Sequence, residues 1–166
     1  MEQTTCRNQF IKYTSLNVLG MLGLSCYILA DTFFVAKGLG ANGLAALNLA
    51  IPVYSFIHGS GLMIGMGGAT KYAICQSRKE QQTANYAFTN AALLVLIFAV
   101  SFFLLGLLGS GSLAYLLGAD MAVFQMAKTY LQVILLFAPM FLLNNLLLCF
   151  VRNDGAPQLS MAAMIG

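Results

Sequence analysis

The chain has 166 residues, of which 60% are hydrophobic and only 8% charged, against about 25% charged in a soluble domain. A soluble fold of this length has no interior large enough for so much apolar surface, so lipid is the expected solvent. The formal charge of +3 is too small and too scattered for nucleic-acid binding. Cys6, Cys26, Cys75 and Cys149 show no paired spacing, which argues against a disulfide framework or a zinc site.

The first predicted element is an apolar helix over about 14–36. Between Lys12 and Lys37 lie 24 residues with a single charge, Asp31, enough to cross about 30 Å of hydrocarbon at 1.5 Å per residue. The run is too long for a signal-peptide core and no small-residue cleavage site follows it, so it is expected to stay in the membrane. Asn17, Gly20, Leu24, Tyr27 and Asp31 recur at spacings of 3, 4, 3 and 4 and therefore share one stripe, expected to face the bundle interior. A carboxylate inside a span costs several kcal/mol and persists facing protein or a water-filled cavity. Asp31 is thus the candidate cation-coupling residue, with Asn17 and Tyr27 as candidate cavity-lining neighbours. The competing reading sets Asp31 at the outer interface, hydrated or paired with Lys37.

Gly38 to Gly43 is read as a turn, and a second helix over about 44–75 follows. Asn48, Pro52, Ser55 and Gly59 repeat the 4, 3, 4 spacing. Pro52 has no N–H to give, so a carbonyl one turn earlier is freed to line a cavity or to bond a neighbour. Asn48, Pro52 and Ser55 are accordingly candidate cavity residues, or else parts of a structural kink. Gly61 and Gly65, four apart in a glycine-dense run, are read as a helix-packing face. His58, the sole histidine, has no second ligand at helical spacing; packing and a proton relay are its two readings. The polar run Gln76–Asn85 is expected to be a loop.

A third helix is expected over about 86–108, then a break at Gly109–Ser112 with a short interfacial turn to Gly118. The fourth covers about 122–151. It contains Pro139 and the adjacent Asn144 and Asn145, which point about 100° apart; one is expected to face a cavity and the other to bond a neighbouring helix. Residues 158–166 read as the start of a fifth helix, so the chain is expected to be a fragment of a longer one. The fold class is therefore all-α, a polytopic membrane bundle of four spans and the start of a fifth. Arg7, Lys12, Lys71, Arg78, Lys79 and Arg152 fall on one side and Lys37 and Lys128 on the other. That asymmetry sets the N-terminus in the cytoplasm. No catalytic constellation, metal set or nucleotide motif is present, so neither an enzyme nor a cofactor is expected, and an ion gradient is the expected energy source.

The string Leu29-Ala-Asp-Thr-Phe-Phe-Val-Ala-Lys-Gly-Leu-Gly-Ala-Asn-Gly-Leu-Ala-Ala-Leu-Asn-Leu-Ala-Ile-Pro52 and the glycine run to Ala69 resemble the first two helices of the MATE (multidrug and toxin extrusion) transporters. Arg152-Asn-Asp-Gly-Ala-Pro157 resembles their connection between the fourth and fifth helices. The resemblance implies twelve helices in two lobes, of which this chain is part of the N-terminal one, in the inner (plasma) membrane. It also implies export of cationic or amphipathic drugs in exchange for H⁺ or Na⁺, with Asp31 matching the first-helix acid associated with cation coupling. The implied partners are the drug, the coupling cation, the bilayer and the rest of the transporter. The family's fifth-helix polar residues around that acid would lie beyond Gly166, and the polar run Gln76–Asn85 lacks the glycines usual there. The rival readings are a flippase for lipid-linked precursors, which expects more intramembrane arginine and lysine, and a non-transporting four-span scaffold.

Overall fold

The computed structural model describes residues 2–153, with the side chains of residues 2–10, 12, 13, 16, 17 and 24 outside the description. Four helical elements follow one another: α1 (Glu2–Ser77), α2 (Gln81–Leu108), α3 (Ser110–Leu116) and α4 (Phe124–Asn153). The expected truncated helix at 158–166, and Asp154 to Pro157 of the polar connection before it, lie outside the described residues.

Element α1 is two helices joined at one residue. Gly40 has φ 64° and ψ −152°, a conformation open to glycine and strained for residues carrying a Cβ. In an unbroken helix Tyr27 and Tyr54 would stand about 40 Å apart. Instead they lie within electrostatic reach of one another, so the chain folds back at Gly40. An outgoing arm (residues 2–39) and a return arm (residues 41–77) result. The six-residue turn expected at 38–43 is thus a correction: the reversal occupies Gly40 alone, because a glycine at φ 64° turns the chain in one residue and leaves the residues on either side helical.

The expected polar loop at Gln76–Asn85 is also corrected, since only Arg78–Glu80 lie outside helix. Lys79 takes φ 62°. Glu80 N–H donates to the Cys75 carbonyl and Lys79 N–H to the Gln76 carbonyl, each at 3.0 Å. This paired closure satisfies the last carbonyls of α1 and lets α2 start at Gln81, five residues ahead of the expected 86. The break after Leu108 is a single glycine, and Ser110–Leu116 is a helix where a turn was expected.

Long apolar helices assemble around two core clusters, the smaller formed by Ala46, Ala50, Ala114, Ala127 and Leu131. At about 1.5 Å per residue, α2 with 28 residues and α4 with 30 are longer than the hydrocarbon is thick, so tilting or projection is required. Buried residues on α2 (Ala84, Ala87, Ala91, Val95, Ala99, Phe102, Gly106) form one narrow stripe, mostly of small side chains. It receives the α4 stripe of Leu135, Ala138, Leu142 and Leu146, closed from the other side by Ile57 and Ile64 of the return arm. Large apolar side chains elsewhere stay exposed, among them Leu96, Ile97, Phe103 and Leu107 on α2. Helices apolar all round with thin buried stripes suit lipid as the outer solvent.

Glycines set the distance of closest approach. A Cβ at Gly61 would sit 3.1 Å from Asn145 Nδ2 and from Leu142 Cδ2, and one at Gly65 3.0 Å from Cys149 Sγ. At Gly106 the Cβ would meet Leu135 Cβ at 2.8 Å and Leu136 N at 3.2 Å. Gly61 and Gly65 therefore seat α4 against the return arm, and Gly106 seats it against α2.

The two ends of the bundle differ in charge. Tyr72, Asn85, Phe88, Thr89, Phe150 and Val151 line one cavity of about 410 Å³, which brings the far ends of the return arm and α4 beside the start of α2. Lys71, Arg78, Lys79 and Arg152 belong to that end. Lys37 belongs to the opposite end with Lys128, whose stem lies 3.7 Å from the Cβ position of Gly111.

Candidate functional site

Asp31 lies nine residues ahead of Gly40, about 13 Å down the outgoing arm from the reversal. Its side chain is half-buried. Tyr130 on α4, six residues beyond Phe124 and itself half-buried, lies within electrostatic reach of both Asp31 and Tyr27. The acid and two phenol groups thus lie within electrostatic reach where the outgoing arm approaches α4. Next to them Val35, Leu39, Gly43, Ala46, Gln125, Met126, Thr129, Tyr130 and Val133 line an open, mainly apolar cavity of about 400 Å³.

A second polar group continues from the first. Tyr54 on the return arm is half-buried, within reach of Tyr27, and stacked on His58 with ring centroids 5.9 Å apart and planes 14° apart. Phe141 of α4 closes edge-on over Tyr54 at 5.6 Å. His58 Nδ1 lies 3.0 Å from Asn145 Nδ2, and the same amide nitrogen donates a longer bond, 3.5 Å, to the His58 carbonyl oxygen. That carbonyl can only accept, so the amide presents nitrogen and Nδ1 is the acceptor. With Nδ1 accepting, the matching form of the neutral imidazole is the Nε2–H tautomer. Asp31, Tyr130, Tyr27, Tyr54, His58 and Asn145 form a polar series across both arms of α1 and α4.

The structure separates the residues singled out from the sequence. Asp31 is half-buried as described, whereas Tyr27 is 69% exposed despite sharing its stripe. The Asn17 side chain lies outside the described residues. Asn48, Pro52 and Ser55 are all exposed, on the face of the return arm turned away from the core. Of the adjacent asparagines, Asn145 is 3% exposed and bonds His58, while Asn144 is exposed. Tyr54 and Tyr130 were missed. The i, i+4 spacing of Tyr54 and His58 was available as a signal for the first; nothing local marks Tyr130, because its partner is a hundred positions away. Among the described residues no group of three or more His, Cys, Asp or Glu could hold a metal.

The site is thus a half-buried carboxylate with phenol groups within electrostatic reach, set between apolar helices. Over residues 18–166 the chain matches the family model MatE. The chain belongs to the MatE family. This MatE chain is 26% identical over 148 residues to the multidrug export protein MepA of Staphylococcus saprophyticus, and 25% identical to MepA of Staphylococcus aureus strains MRSA252 and N315. Each match covers 89% of the chain and 33% of the relative. The chain thus spans about a third of the length of the curated relatives it matches. No solved structure matches it.

Proposed function

We propose that this MatE segment is part of the N-terminal lobe of a secondary active multidrug exporter, exchanging cationic or amphipathic drugs for H⁺ or Na⁺, with Asp31 as the cation-coupling group. The observation that carries this reading is the half-burial of Asp31 at the junction with Tyr130, in a chain similar to multidrug export proteins. In its charged form Asp31 draws the hydroxyl dipoles of Tyr130 and Tyr27 and offers a cationic drug a counter-charge. Taking up H⁺ or Na⁺ removes that counter-charge and frees the drug, so one cation in and one drug out are linked at a single carboxylate. Gly40, the prolines inside helices at Pro52 and Pro139, and the glycine-seated contacts of α4 supply the points at which a lobe could rock as alternating access requires.

The basic end of the bundle, with Lys71, Arg78, Lys79 and Arg152, faces the cytoplasm in this reading, and the N-terminus with it, in the plasma membrane. The location of these lysines and arginines near helix ends supports a drug exporter over a flippase with a cationic cavity. A direct test replaces the matching third of a MepA protein with residues 18–166 and follows a fluorescent organic cation in inverted vesicles. Accumulation driven by an imposed H⁺ or Na⁺ gradient, and collapse when the gradient is dissipated, is the expected result. Accumulation indifferent to either gradient contradicts the exchange mechanism.

A further inference from the structure

The His58–Asn145 bridge joins helices 87 positions apart in sequence and is independent of the reading given to Asp31. Its walls are apolar: Ile57 and Ile64 on the return arm, Leu142 and Leu146 on α4, and on the buried face of α2 only Ala, Val, Phe and Gly. The titratable groups facing it are few. From the return arm Tyr54 stacks on the imidazole, and from the outgoing arm Tyr27 lies within reach of Tyr54. From α4 the Cys149 thiol sits one turn beyond Asn145, against Gly65. Lys71 and Arg152 lie toward the basic end and Lys128 toward the other; among the described residues no carboxylate is packed on the bridge.

We propose that His58 and Asn145 form a proton-operated latch between the return arm of α1 and α4. With the imidazole neutral, the Asn145 amide donates to Nδ1 and, more weakly, to the His58 carbonyl. A proton from water added at Nδ1 turns the acceptor into a donor, so two N–H groups confront each other across 3.0 Å. Rotating the amide by half a turn would present Oδ1 to the new N–H. It would also turn that oxygen toward the His58 carbonyl, replacing the donated 3.5 Å bond by two acceptors that face each other. Gly61 brings its backbone close on that side: a Cβ there would lie 3.1 Å from Nδ2 and 3.2 Å from the Asn145 Cβ. Protonation therefore releases the bridge, and the pair holds the two helices only while His58 is neutral. As the pH falls through the imidazole titration the latch opens; as it rises the latch closes.

His58 is the only histidine, so ¹³C,¹⁵N-histidine labels one site in the whole chain when no polyhistidine tag is used. The untagged chain is reconstituted in lipid bilayers with ¹⁵N-asparagine, and solid-state NMR is recorded between about pH 5 and pH 8. At the upper pH, the expected result is a single Nε2–H tautomer, a hydrogen-bonded Nδ1, and dipolar recoupling between the ring and one asparagine side-chain nitrogen. At the lower pH, the ring carries both protons and the recoupling is lost. In Asn145→Leu, of similar shape without the amide, recoupling is absent at every pH. An Nδ1–H tautomer at the upper pH, a ring still neutral at the lower pH, or recoupling that survives double protonation would each overturn the latch.

Discussion

Gly106 offers a stringent test of the packing, because its nearest neighbours are rigid. A Cβ there would lie 2.8 Å from Leu135 Cβ and within 3.2–3.3 Å of the Leu136 nitrogen and the Leu135 carbonyl carbon. Carbon atoms rest about 3.5–4.0 Å apart, so Gly106→Ala must push α2 and α4 apart by about 1 Å. No rotamer change relieves this, since the obstructing atoms are backbone or Cβ. A gap of that size forfeits a quarter to a half of each affected contact along the stripe, and overpacking of this kind costs about 1–3 kcal/mol. Alanine's better helix propensity returns at most about 1 kcal/mol. Gly67→Ala is the matched control: it sits in the same membrane-spanning bundle, gains the same propensity, and its Cβ meets nothing within 4 Å. Unfolding by titrated denaturing detergent should show Gly106→Ala less stable than Gly67→Ala by about 2 kcal/mol. Equal stabilities for the two variants would refute the close α2–α4 approach and the packing argument built on it.

The other positions give predictions of different kinds. Gly40→Ala cannot keep φ 64°, ψ −152° without strain of about 1–3 kcal/mol; spin labels at 27 and 54 should report a longer or broader separation, and an unchanged distance would contradict the one-residue reversal. Tyr130→Phe removes only a hydroxyl near Asp31 and, in a full transporter, should lower cation-driven efflux by about tenfold, equivalent to about 1.4 kcal/mol, with protein abundance unchanged. Efflux at the parental rate would remove Tyr130 from the site. Lys79→Cys should react with an impermeant thiol reagent only from the cytoplasmic side and Lys128→Cys only from the opposite side, judged against the parental chain; the reverse pattern would invert the orientation.

Much of the architecture was legible because lipid simplifies the problem. Any run such as 86–108 that is apolar on every face has few alternatives to a spanning helix. The boundaries were less legible where composition and conformation part company. Gly38 to Gly43 looks like a loop, yet hydrogen-bonded neighbours keep five of its six residues helical and leave the reversal to Gly40. Gln81–Asn85 looks polar enough for a loop, yet it extends α2 past the apolar run because polar side chains at a helix end remain exposed. Asp31 stood out as a lone charge in a long span, but its neighbours did not. The stripe logic that linked Tyr27 to the interior uses one helix alone; its exposure depends on how the outgoing arm turns against α4. Tyr130 and the choice between Asn144 and Asn145 depend on contacts between distant segments, which local spacing does not encode.

Coupling through Asp31 is the claim on which the functional account rests, and it is measured most directly as cation movement accompanying drug movement. In proteoliposomes containing a full transporter with this segment, addition of drug on the side from which it is loaded should release H⁺ or drive Na⁺ exchange. Asp31→Asn keeps the size and removes the carboxylate, so it should abolish the drug-dependent cation flux with the protein still folded and inserted. Drug-dependent cation flux persisting at the parental level in Asp31→Asn would contradict the account.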